Sequence, residues 1–219
     1  MAGSPPISKA QRAALSRLSQ LRLSKQVYLA GGVAAAFHLG HRRSNDLDLF
    51  SLDPAFDLRA ARRELVGAGD AEVVALSDAT LHLRFEGADV DLVRYGYAPL
   101  ERPAESRLGI RVAGLRDLAA MKLAAISQRG IRRDFWDLHE MLTRHATTLP
   151  RALRDYRKKF GVAEADVYHV LRALTWFDDA EAETAFPRGL TRARWTRIRR
   201  DMDPWVAAAA NAWRRTRPF

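Results

Sequence analysis

The stretch from Tyr28 to Phe50 constrains the fold more tightly than any other part of this chain. It runs Tyr-Leu-Ala-Gly-Gly, then Val-Ala-Ala-Ala-Phe-His-Leu, then Gly-His-Arg-Arg-Ser-Asn, and closes on Asp46-Leu47-Asp48-Leu49-Phe50. The pattern predicts a strand, a glycine turn, a short helix over 33–39, a basic loop and a second strand. Gly40 stands where a left-handed residue would end the helix. On the second strand side chains alternate, so Asp46 and Asp48 share one face while Leu47 and Leu49 enter the core. Carboxylates roughly 6.6 Å apart along a strand repel each other unless something neutralises them. A divalent ion is the simplest resolution.

Magnesium takes hard oxygen ligands, usually one or two protein carboxylates, and leaves its other positions to water and phosphates. Two such ions about 3.5–4 Å apart can hold the attacking and leaving oxygens of an in-line displacement. Gly31-Gly32 would let backbone come close to a triphosphate, and the helix behind it would aim its first amides there. Taken alone, Asp-x-Asp reads as a solvated strand end and Gly-Gly as an ordinary turn. Their order, strand then glycines then helix then strand, is what favours phosphoryl chemistry.

Thr80 to Phe85 alternates, Glu86-Gly87 marks a tight turn, and Ala88 to Tyr95 returns, which predicts a β-hairpin. Asp89 and Asp91 face one way, opposite Val90 and Leu92; Asp89 is nearer the turn and reads as solvated. A helix is expected over 115–128, with Lys122 in its middle, where a lysine ordinarily lays its stem over apolar neighbours. Gly130 separates it from a helix over 131–144 whose inward stripe is Phe135, Leu138 and Leu142. Asp134 and Asp137 are neighbours on that helix. Asp134 also suits the positive end of its dipole.

In these residues the chain resembles the AbiEii/MenT-type nucleotidyltransferase toxin family, a branch of the DNA polymerase β-like nucleotidyltransferase superfamily. The resemblance rests on Leu29-Ala30-Gly31-Gly32, on the run from Leu39 to Phe50, and on Asp117 to Lys122 leading into Arg133-Asp134-Phe135-Trp136-Asp137-Leu138. It implies that Asp46, Asp48 and Asp91 hold two Mg2+ ions, with Asp91 as the third carboxylate. It implies that Gly31, Gly32, Ser44 and Lys122 bind a nucleoside triphosphate, Lys122 as a mobile positive charge on its phosphates. Asp137 is the acidic residue expected to orient Lys122 or the acceptor. Val33 departs from the family pattern, which often has Ser or Thr there. The implied acceptor is an RNA, a tRNA 3′ end above all, and the implied partner is an antitoxin protein.

The remaining pattern places a capped helix over 8–23, a helix over 57–66 and a strand over 71–77. Beyond Leu115 only helices are expected, over 151–160, 164–177, 192–200 and 204–214, with turns at Gly161, Pro187-Arg188-Gly189 and Asp203-Pro204. The fold class is therefore α/β (α+β). A nucleotidyltransferase lobe with a mixed sheet, residues 1–114, is followed by an all-helical lobe, residues 115–219.

The chain has 219 residues and no cysteine, which excludes a disulfide framework, a thiolate zinc site and a cysteine nucleophile. Its six histidines lack the HExxH spacing of zinc hydrolases. No apolar run approaches the ~20 residues a membrane helix needs, and the first residues lack the plan of a signal peptide, so a cytoplasmic protein is expected. The formal net charge of +10 attracts polyanions, nucleic acid first. Arg188, Arg192, Arg194, Arg197, Arg199, Arg200, Arg214, Arg215 and Arg217 cluster near the carboxyl end with Trp195, Trp205 and Trp213. That cluster suits RNA contact or an acidic antitoxin, and the tryptophans suit either base stacking or a core. Two other readings stay open. One is nucleotidyl transfer to a small molecule or a protein side chain; the other is a non-catalytic nucleic-acid-binding module.

Overall fold

The computed structural model describes residues 7–144 and 146–215. Arg217 of the basic cluster lies outside them. The chain divides into two compact units, Met1–Gly114 and Leu115–Phe219.

The first unit opens on α1 (Lys9–Leu18), started by a reciprocal cap: Gln11 N–H donates to Ser8 Oγ, and Ser8 N–H donates to Gln11 Oε1. The expected helix to residue 23 stops earlier. Ser19 and Gln20 turn the chain, and a 3-10 turn over Arg22–Lys25 leads to the first strand. There follow β1 (Val27–Leu29), α2 (Gly31–Leu39), β2 (Leu47–Ser51), α3 (Leu58–Ala68), β3 (Ala71–Leu76), β4 (Thr80–Phe85) and β5 (Ala88–Val93). The strands form one mixed sheet in the order β1-β2-β5-β4-β3. β2 and β5 are its parallel pair, and the other neighbours are antiparallel. Leu29 also bridges to Val112, which ties the end of this unit to β1.

Alternation works as expected along β2, where Leu47, Leu49 and Ser51 are buried and Asp48 and Phe50 are half-buried. It works along β4 and β5 too: Leu81, Leu83, Phe85, Val90 and Leu92 fill one face. The two-residue turn Glu86-Gly87 has positive φ at both positions (51° and 74°), the geometry that matches the twist of a tight hairpin. α2 differs from an ordinary amphipathic helix. Gly32 and Val33–Ala36 are all buried, so its small residues serve close approach on several sides at once.

The second unit is helical throughout its described residues: α4 (Leu115–Arg129), α5 (Arg132–Thr143), α6 (Leu149–Phe160), α7 (Glu164–Ala173), α8 (Asp178–Ala182) and α9 (Arg192–Arg215). α5 is its central element, buried from Asp134 through Leu142, with Phe135 and Trp136 fully enclosed. Two ion pairs join α4 to α6. Lys159 Nζ lies 2.8 Å from Asp117 Oδ1, both side chains buried, and Arg116 grips the carboxylate of Asp155.

The carboxyl-terminal segment corrects the expectation of two helices. Asp203-Pro204 is no turn; α9 runs through it for 24 residues with Pro204 in its interior. Ile198, Met202, Ala209 and Trp213, buried along α9, bracket the proline on both sides. Tertiary burial outweighs the missing amide there. Pro204→Ala should therefore stabilise the protein by up to about 3 kcal/mol, seen as a higher urea midpoint at unchanged slope. A lower midpoint would mean that the helix needs the proline's shape.

Candidate active site

Gly31 opens α2 in a left-handed conformation (φ 59°), and the reason is steric. A Cβ on Gly31 would lie 1.9 Å from Asp48 Oδ2 and 2.8 Å from its Cβ. Gly32 N–H donates to the same Oδ2 at 3.3 Å, and Ala30 N–H donates to the Asp48 backbone oxygen at 2.9 Å. The glycine turn thus sits directly on the Asp48 carboxylate. One amide at the start of α2 is already spent on it.

Gly32 is pressed equally closely from below. A Cβ there would meet Ser44 Oγ at 2.4 Å and Arg42 Nη2 at 2.7 Å. Both of those side chains are buried, while Arg43 is exposed. Arg42 Nη1 donates to the Arg43 carbonyl at 2.9 Å, which stiffens the loop. Gln11 of α1 adds a brace that the sequence reading missed. Its Nε2 donates to the carbonyls of Ser44 and Asn45, at 2.8 and 2.6 Å, just before the aspartates. Val33, in the position where the family often has a hydroxyl, is buried in the core.

β2 begins at Leu47, so Asp46 lies just ahead of the strand and not on it as expected. Its placement therefore comes from the braced loop rather than from the strand period. Asp48 is aligned differently. It stands in register with Asp91 on the parallel neighbour β5, strands that lie ≈ 4.8 Å apart, and both residues are half-buried. Asp89, two residues nearer the turn, is exposed and meets Arg84. Asp91 has a partner that the sequence reading missed: His82 Nδ1 lies 2.6 Å from its Oδ1. The signal was present, because a two-residue turn at Glu86-Gly87 pairs Phe85 with Ala88 and hence His82 with Asp91.

In the helical unit Lys122 is buried, and its ammonium lies 2.7 Å from both Asp134 Oδ1 and Asp137 Oδ2. Burial pulls the lysine pKa down, yet the carboxylates of Asp137 and Asp134 outweigh it and hold the pKa above its ordinary value. Arg129 Nε lies 3.5 Å from the other oxygen of Asp134. Asp137 and Asp134 both position the lysine, which is a clamped cation in this geometry rather than a swinging one.

The terminal basic cluster separates into two populations. Trp195 and Trp213 are buried, and Trp195 Nε1 donates to Glu181 at 2.8 Å, so these rings belong to the core. Arg188, Arg192, Arg194, Arg197, Arg199, Arg200, Arg214 and Arg215 are exposed. Arg199 pairs with Glu181 and Arg200 with Asp201.

The carboxylate oxygens of Asp46, Asp48 and Asp91 are the donors a hard divalent ion prefers. Among the described residues, no group of three or more His, Asp or Glu is arranged to hold a metal ion. One or two protein carboxylates suffice for magnesium. The in-register pair Asp48 and Asp91 meets that lesser requirement.

Among solved structures the chain is similar to MenT4, a nucleotidyltransferase toxin from Mycobacterium tuberculosis H37Rv. The TM-score is 0.58 over 95% of this chain and 91% of that one, at 19% identity. The likeness establishes the class of the fold, that of the nucleotidyltransferase toxins. An uncharacterized protein of Aquifex aeolicus (strain VF5) is 33% identical over 179 residues, 81% of this chain and 86% of its own length. Residues 85–215 match the family model of the nucleotidyl transferase AbiEii toxin, type IV toxin–antitoxin system. The chain belongs to the AbiEii nucleotidyltransferase toxin family. The matched span takes in Asp91, Lys122 and Asp137 and begins after Asp48. No helix among the described residues is long and apolar enough to cross a membrane.

Proposed function

We propose that this toxin transfers a nucleoside monophosphate from a nucleoside triphosphate to an RNA acceptor, the 3′ end of tRNA, in a magnesium-dependent reaction. The observation that carries the reading is the glycine turn seated on Asp48 beside in-register Asp91. Close backbone approach, a helix start and paired carboxylates are what a triphosphate site requires.

The acceptor hydroxyl oxygen forms a bond to the α-phosphorus, the bond from that phosphorus to the bridging oxygen breaks, and pyrophosphate leaves. Asp91 takes the hydroxyl proton, with His82 holding its Oδ1. Asp48 is locked in orientation by the Gly32 amide and by the space Gly31 leaves. Asp48 and Asp91 would hold magnesium, which when bound would offset charge on the phosphates and lower the pKa of the acceptor hydroxyl. Ser44 and the backbone amides at the start of α2 would steady the triphosphate. The +10 net charge favours a polyanionic acceptor over a small neutral one. Membership of a toxin–antitoxin family supports an antitoxin partner, and the substrates belong to the cytoplasm.

The test is transfer of label from each α-³²P-labelled nucleoside triphosphate to total tRNA with magnesium, in wild type and Asp48→Ala, beside a protein-only control. Label on tRNA that requires Asp48 is the expected result. Label on protein would favour modification of a side chain, and tRNA binding without any transfer would leave a binding module.

A further inference from the structure

Trp176 is 54% exposed, whereas Trp136, Trp195 and Trp213 are buried. It follows α7 and walls a pocket of about 230 Å³ within the helical unit. Ile126 and Gly130 at the end of α4 line the pocket, with His169 and Arg172 of α7 and Asp179 of α8. An exposed indole beside a concave surface is stabilised when a second flat ring covers it.

The size and polarity of the pocket narrow the ring. Pockets that enclose drug-sized ligands hold roughly 300–1,000 Å³, so this one admits a single ring system and not a whole nucleoside triphosphate. The Asp179 carboxylate only accepts hydrogen bonds, which calls for an amino or ring N–H edge on the guest. Arg172 donates in a planar fork suited to phosphate. A flat ring with an N–H edge and a nearby anion is a nucleobase in a nucleic-acid strand.

We propose that the Trp176 pocket receives one unpaired nucleobase of an RNA strand, stacked on the indole, with its donor edge toward Asp179 and an adjoining phosphate toward Arg172. A second hollow lies beside the same indole, lined in part by Arg199 and Arg200. Asp178, Glu181 and Asp203 line it as well, so it adds little net attraction for a strand. The site is a single-base anchor. It rests on RNA being the acceptor, but its test does not depend on turnover.

The whole 219-residue chain is titrated, without nucleoside triphosphate, with dye-labelled tetraribonucleotides of each base and with the four nucleoside monophosphates. Binding is read by anisotropy and by tryptophan quenching. At least one tetranucleotide should bind and quench. Trp176→Ala should weaken that binding at least about fivefold, the low end of one stacked base, while Trp176→Phe retains most of it. Asp179→Asn should alter which base binds best. Equal affinity of wild type and Trp176→Ala would overturn the site, and so would monophosphates binding as tightly as tetranucleotides. Absent label transfer with Trp176-dependent binding would sink the proposed reaction and leave this site standing. Intact transfer with Trp176-independent binding would do the reverse.

Discussion

Asp48→Ala should lower label transfer by on the order of a thousandfold or more, the scale expected when a group that organises charge at a phosphoryl centre is removed. Gly31→Ala should approach the same loss with Asp48 still present. Two costs coincide at that glycine. Its φ of 59° is a conformation an L side chain adopts with strain, and the new Cβ would overlap the Asp48 carboxylate at 1.9 Å. The carboxylate must swing away or the start of α2 must shift, and either change breaks the bond from the Gly32 amide that orients Asp48. Neither variant should disturb the helical unit, so urea melts of both should remain cooperative. Wild-type turnover in Gly31→Ala would show that the turn relaxes freely and that its contact with Asp48 has no part in the chemistry.

Features of this fold are legible in the sequence according to the reach of the signal that sets them. Period-2 alternation and the Glu86-Gly87 turn are local, and they place β4, β5 and the common side of Asp89 and Asp91, whereas the register of Asp48 with Asp91 comes from the parallel pairing of β2 and β5. The same turn fixes the pairing of His82 with Asp91, and only the cross-strand register reveals it, since along its own strand His82 is one exposed residue between buried leucines. Signals of longer reach were hidden. Gln11 reaches 33 and 34 positions along the chain to brace the loop ahead of Asp46, and no spacing rule connects residues so distant. Which of Arg42 and Arg43 turns inward depends on the space beneath Gly32. Pro204 misled for the opposite reason: its local preference is strong, and burial along α9 overrides it. The clamp on Lys122 depends on how α4 meets α5, which helical periodicity leaves open.

Lys122→Met should destabilise the protein by about 3–5 kcal/mol, because it removes the ammonium from two buried carboxylates and leaves Asp134 the longer contact with Arg129. Asp134 and Asp137 have side chains only 3% and 0% exposed, so neither can recover its hydration without opening the unit. The pH dependence follows from the raised lysine pKa. A raised folded value means the pair's contribution is complete below the unfolded value near 10.5 and fades only as pH climbs through the folded one. Across neutral pH the urea midpoint of wild type should therefore show no dependence on this lysine. Adding Asp134→Asn and Asp137→Asn to Lys122→Met removes the stranded charges and should restore much of the lost stability. That triple variant also separates two roles of one residue. If Lys122 serves only to hold α4 and α5 together, the refolded triple variant will transfer label as wild type does. If its charge also acts on the nucleotide, stability will return and transfer will not. A Lys122→Met variant melting at the wild-type midpoint would show that the carboxylates reach solvent and that the clamp does not hold the unit together.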